Sequence, residues 1–137
     1  MARDLFHYQV KRALIKEGWN ITADPYRMEV DEVLYEIDLG AEPIIAAEKE
    51  NEKIAIEIKS FAGASTISEF HKAVGQFVDY SVALEFFDPN RVLYLAVPET
   101  TYDNFFLKPV IQRTIEKIDC KIIVYHPQNE TIVKWIK

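Results

Sequence analysis

The chain reads as a single α/β domain, a mixed central sheet flanked by helices, and three segments lead to that class. Lys53-Ile54-Ala55-Ile56-Glu57-Ile58-Lys59 alternates with a period of two, as a strand does. Arg91 to Val97 is nearly all apolar, the pattern of a central strand buried on both faces. Between them a helical pattern runs from Ser65 or Thr66 to about Phe86, with Ile67, Phe70, Val74, Phe77 or Val78, and Leu84 on one side. A strand, a long helix and a buried strand make a crossover. At 137 residues there is material for one core and one domain, residues 1–137.

The remaining elements follow in order. Asp4 can cap a helix that ends at Glu17, in which Phe6, Val10, Ala13 and Leu14 recur at helical spacing and Gly18 stands just past the end. After Trp19 to Thr22, Asp24-Pro25 marks a turn, and Tyr26 to Val30 is a short extended segment. Val33 to Leu39 reads as a strand closed by Gly40, and Ile44 to Lys49 as another. Together with Lys53 to Lys59 they are expected to form an antiparallel meander, with Glu50-Asn51-Glu52 as the hairpin loop. Thr66 with Glu69 has capping-box spacing. Asp88-Pro89-Asn90 breaks the long helix, Pro109 opens another that runs to Asp119, and strands are expected at Lys121 to Tyr125 and Glu130 to Ile136.

Composition narrows the function classes. Hydrophobic residues at 49% and charged residues at 28% describe an ordinary globular chain. No run of about 18 apolar residues could span a bilayer, and the N-terminus lacks a signal-peptide pattern, so a cytoplasmic protein without a membrane role is expected. Cys120 is the only cysteine, which excludes an internal disulfide; it reads as a small semi-buried residue. A net charge of −6 argues against binding nucleic acid by bulk electrostatics, although Lys11, Arg12, Lys16 and Lys72 could form a local basic rim.

Chemistry concentrates between Asp38 and Lys59. Alternation puts Glu57 and Lys59 on one face of their strand, and Asp38 closes the preceding strand segment. Were those strands neighbours, the two carboxylates would converge as hard oxygen ligands for magnesium, with Lys59 beside the attacking water. An alternating Glu and Lys also suits a solvated strand face. On the long helix Gln76 and Tyr80 are four apart and share a face that Lys72 extends.

Asp38, Glu57-x-Lys59 and Gln76-x-x-x-Tyr80, in that order, resemble the motifs of the PD-(D/E)xK nuclease superfamily, including the signature of its RecB-like branch. The element order resembles that superfamily's restriction-endonuclease-like αβββαβ core. Ile37 stands where the motif has proline; Glu17, or less well Asp4, would be the first-helix acid. The resemblance implies Asp38, Glu57 and the Ile58 carbonyl as ligands for Mg2+ or Mn2+. Lys59 would position the water, and Gln76 and Tyr80 would orient Lys59 or contact DNA phosphate.

Over nearly its whole length the chain further resembles the XisH family, cyanobacterial factors that control excision of the fdxN element during heterocyst development. Ala2-Arg3-Asp4, Lys16-Glu17-Gly18-Trp19, Asp24-Pro25, Ile56 to Phe61 and Gly75-Gln76-Phe77 carry that resemblance. It implies a factor acting on DNA with a site-specific recombinase and a XisI-type partner protein, as a DNA endonuclease or as a non-cleaving binding module. An oligomer is compatible with either.

Other polar residues have plainer readings. Glu48 is expected to be a solvent-facing partner for a lysine rather than a second-metal ligand. His7 is a surface or helix-packing histidine before it is a base. His71 and His126 lack ligand-like spacing, and none of the four glycines forms a phosphate-binding loop.

Overall fold

A computed structural model describes residues 5–35 and 44–137, the side chain of Ile44 excepted. Asp4, Ile37, Asp38 and Gly40 therefore lie outside the described residues. The elements in order are α1 (His7–Lys16), β1 (Asn20–Ala23), β2 (Met28–Val30), β3 (Val33–Tyr35), β4 (Ile44–Lys49) and β5 (Glu52–Ile58). They continue with α2 (Thr66–Phe87), β6 (Arg91–Pro98), α3 (Glu99–Thr101) running into a π-helical turn (Tyr102–Phe106), α4 (Pro109–Lys117), β7 (Ile122–His126) and β8 (Thr131–Ile136).

Among the described residues, strands in the order β1-β4-β5-β6-β7-β8 form one sheet. The β5–β6 and β6–β7 pairs are parallel and the others antiparallel. Parallel neighbours need a crossover, and α2 and α4 supply it. β6 is the predicted central strand: Leu93 to Pro98 are all buried.

The expected meander is corrected at its first strand. The described part of the Val33 to Leu39 segment, β3, pairs with β2 in a separate two-stranded sheet, and β1 takes the place beside β4. Local pattern supports a strand at either place, and partner choice is a tertiary decision. The β4–β5 hairpin is as expected, with Lys49 opposite Glu52 and Glu50 at φ 55° in the turn.

Each face of the sheet carries its own core. Ile54, Ile56 and Ile58 pack with Val10 and Leu14 of α1 and with Trp19, Tyr94 and Tyr125. Ala55, Leu93, Leu95 and Val97 pack with Phe70, Ala73, Phe77 and Tyr80 of α2 and with Phe106, Ile111 and Ile115. Both faces of β5 are thus closed, so the solvated-face reading of Glu57 and Lys59 fails.

Helix ends show how capping resolved. Ser65 is the N-cap of α2, its hydroxyl accepting from the Ser68 N–H at 3.3 Å. Glu69 does not complete a capping box but accepts from the Gly63 N–H at 2.7 Å, holding the entering loop. Ile67 and Val78, expected on the core side of α2, are exposed; Ala73, Tyr80 and Ala83 are buried instead. Pro109 opens α4 as expected.

Candidate functional site

β5 delivers Glu57 and Lys59 to the C-terminal end of the parallel strands, where open α/β sheets bind ligands. Past β5 the chain stays tied to the sheet. The Lys59 N–H donates to the Ala96 carbonyl at 3.0 Å, and the Tyr125 hydroxyl donates to the Lys59 carbonyl at 2.9 Å. Two neighbouring strands thereby clamp the Lys59 backbone. Tyr125 is a contributor that its own segment does not announce, because an apolar strand with a tyrosine reads only as core.

The side chains of Glu57 and Lys59 face α2. Lys59 Nζ donates to Gln76 Oε1 at 2.6 Å, so α2 aims the ammonium. Lys59 Nζ stands 3.6 Å from Glu57 Oε2, an ionic contact too long to count as a hydrogen bond. Glu57 is fully buried, and neither of its carboxylate oxygens has a hydrogen-bond partner among the described residues. Burial pushes its pKa from 4.5 up to about 8, only partly opposed by the charge of Lys59.

The other expected site residues divide. Gln76 is half-buried against Lys59, and Tyr80 is buried in the α2-side core; Lys72 on the next turn is exposed, so the expected polar stripe is not one surface. Ile58 sends its side chain into the α1-side core and leaves only its main chain on the site's face. Asp38, the second expected carboxylate, is outside the described residues.

Glu17 is not brought to this place. It accepts from the Trp135 indole N–H at 3.1 Å and lines a cavity with Trp19, Lys49, Glu52 and Tyr94, at the opposite end of β5. At about 3.3 Å per residue, the five residues from Glu52 to Glu57 put it roughly 16 Å away.

Glu57 has the character of a hard-cation ligand, since orphaned buried carboxylate oxygens are what a cation would satisfy. Among the described residues, however, no three His, Cys, Asp or Glu side chains cluster to hold a metal ion. Glu48 is not a further ligand; its carboxylate takes Arg91 Nη2 at 3.1 Å, an arginine where a lysine was expected. His7 is fully buried, its Nε2 2.9 Å from Asp24 Oδ2, in agreement with a helix-packing role. Burial raises the pKa of the Cys120 thiol, which suits an inert core residue.

The expected basic rim on α1 is largely neutralised. Lys11 reaches Asp24 at 2.7 Å, Arg12 reaches Glu130 at 2.7 Å, and Lys16 donates to the Asn129 carbonyl at 3.0 Å. Among the described residues no helix is long and apolar enough to cross a membrane.

Residues 1–133 match the family model described as XisH protein. The crystal structure of an XisH family protein from Nostoc punctiforme PCC 73102 is similar, with a TM-score of 0.90 and 47% identity over 98% of this chain and 100% of that one. The crystal structure of a fdxN element excision controlling factor protein from Anabaena variabilis is similar too, at TM-score 0.91 and 46% identity, covering 98% of this chain and 100% of that one. No curated protein matches the chain. Matched along nearly its whole length by the family model and by both structures, the chain belongs to the XisH family.

Proposed function

We propose that this protein is an excision-controlling factor that binds DNA or a XisI-type partner and directs a site-specific recombinase without cutting DNA itself. Family membership supports the excision role, since the Anabaena variabilis relative is described as a fdxN element excision controlling factor. The observation that carries the non-cleaving form is Glu57. A carboxyl that is fully enclosed beneath α2 leaves no open path for a phosphodiester to reach it. The net charge of −6 and the internally paired cations of α1 favour a protein partner over bulk attraction to DNA.

A second reading has its own support in Lys59, held by Gln76 and set 3.6 Å from an orphaned carboxylate in the Glu-x-Lys order. In it the fold is a PD-(D/E)xK core, and Asp38, Glu57 and the Ile58 carbonyl hold Mg2+ or Mn2+. That cation would take the place of the Glu57 proton and neutralise charge on the phosphate. Lys59 would orient the attacking water and Gln76 hold Lys59, with Tyr80 orienting Lys59 or contacting DNA phosphate.

One experiment separates the two. Purified protein is incubated with supercoiled, linear and branched DNA in Mg2+ or Mn2+, with and without a XisI-type protein, beside Lys59→Ala. The binding-module reading expects DNA or partner binding with no cutting. Cutting that requires both metal and Lys59 would overturn it in favour of the nuclease.

A further inference from the structure

The outward face of α2 is unusually apolar for a surface. Ile67, Val78, Val82 and Phe86 are all exposed, Phe86 by 69%. At 3.6 residues per turn they fall with His71 and Gly75 on one stripe, opposite the residues that pack on the sheet. Gly75 lies near the middle of the helix, exposed, with nothing within 4 Å of where a Cβ would stand. A glycine there weakens the helix, and the crowding of the α2-side core does not account for it.

The charges beside the stripe have a second regularity. Lys72 and Asp79 are exposed on the same flank, seven residues apart and centred next to Gly75, and neither has an ion-pair partner among the described residues. Glu85 is exposed on the opposite flank in the last turn, which holds no basic residue, so it faces the unfavourable end of its own helix dipole.

We propose that α2 packs antiparallel against α2 of a second copy of this chain, about a two-fold axis at the level of Gln76, beside Gly75. In an antiparallel pair like flanks face each other, so Lys72 of each copy meets Asp79 of the other, giving two reciprocal ion pairs from one arrangement. To within one residue the same axis seats Val78 of each copy over Gly75 of the other. Val82 then lies on His71, and Phe86 on Ile67. Glu85 comes beside the N-terminus of the opposite α2, where a carboxylate is favoured. Val92, exposed and sharing a cavity wall with Ser81 and Glu85, adds apolar area at the rim. The contact runs along a helix of 22 residues, about 33 Å long. Gln76 lies on the Lys72 side of α2, so both copies of the Glu57–Lys59–Gln76 cluster would lie on the same side of the dimer.

Sedimentation equilibrium of the full chain across a concentration series tests this. The wild type is expected to dimerise. Val82→Glu should weaken the dimer by about a hundredfold or more, because two copies would bury a carboxylate. Lys72→Asp or Asp79→Lys alone should weaken it by about tenfold, and the double variant Lys72→Asp with Asp79→Lys should recover most of the loss. Circular dichroism confirms folding of each variant; the charge exchange leaves the apolar stripe intact, so it decides the matter if Val82→Glu unfolds. A wild type that is monomeric at every concentration, a dimer indifferent to Val82→Glu, or a double variant no stronger than the single ones would overturn the proposal.

Discussion

Arg91 and Lys59 are both cations buried beside the parallel pair β5 and β6, at opposite ends of it, and their surroundings differ. Arg91 is saturated. Its Nε donates to Asp88 at 2.9 Å, Nη1 to the Ile54 carbonyl at 3.0 Å and Nη2 to Glu48 at 3.1 Å, while its guanidinium lies 4.9 Å from the centre of the Tyr26 ring. That cluster binds strand ends, the start of β6 and the β2–β3 unit into one piece. At the other end Lys59 is aimed by Gln76, yet the carboxylate beside it has no hydrogen bond among the described residues. A satisfied buried ion network is a structural element, whereas an orphaned carboxyl with a raised pKa is destabilising unless something binds it. The contrast places candidate chemistry at the C-terminal end of the strands and the fastening at the N-terminal end.

Arg91→Ala should be the most damaging change, costing about 3–5 kcal/mol in urea denaturation, because Asp88 and Glu48 would both lose their guanidinium partner. A loss below about 1 kcal/mol would make the cluster ornamental and dissolve the comparison.

Glu57→Gln should act in the opposite direction. The folded state holds the Glu57 proton up to about pH 8, whereas an ordinary glutamic acid releases it near 4.5. Between those values the folded protein binds more protons than the unfolded chain, so wild-type stability falls as pH rises through that window. Glutamine removes the slope. The variant should gain on the order of a few kcal/mol over wild type near pH 8 and little near pH 4.5, read from denaturation midpoints across pH. Under the nuclease reading, Mg2+ should raise the melting temperature of the wild type near pH 8 and leave Glu57→Gln unmoved; a metal effect of equal size on both would separate the cation from Glu57.

Gln76→Ala removes one charge-assisted hydrogen bond from a half-buried position and should cost about 1–2 kcal/mol. Any functional loss it causes should match that of Lys59→Ala in kind, since Gln76 acts through Lys59. Glu48→Gln should be the mildest, under about 1 kcal/mol, because the Glu48 side chain is 39% exposed and Arg91 keeps its other partners.

The strongest elements were legible in the chain itself. The alternation of Lys53 to Lys59 placed Glu57 and Lys59 on one face, and the spacing of Phe70, Phe77 and Leu84 placed α2, while only the resemblance to the nuclease motifs suggested that Gln76 orients Lys59. What escaped was the environment. Solvated and buried strands can both read Ala-x-Glu-x-Lys, and only the presence of α2 over that face turned a surface carboxylate into an enclosed one. Partner choice escaped for a related reason: β1 and β3 are both short and weakly patterned, and β1 won the place beside β4.

The sequence by itself determined the periodicities and the order of the elements, because side-chain direction along a strand or helix follows from local backbone geometry. Tertiary structure alone decided which cations are satisfied. Arg91 finds Glu48 through the strand ladder, and Tyr125 fixes the Lys59 backbone from 66 residues away. Contacts of that range depend on sheet order and register, which a single chain read linearly does not specify.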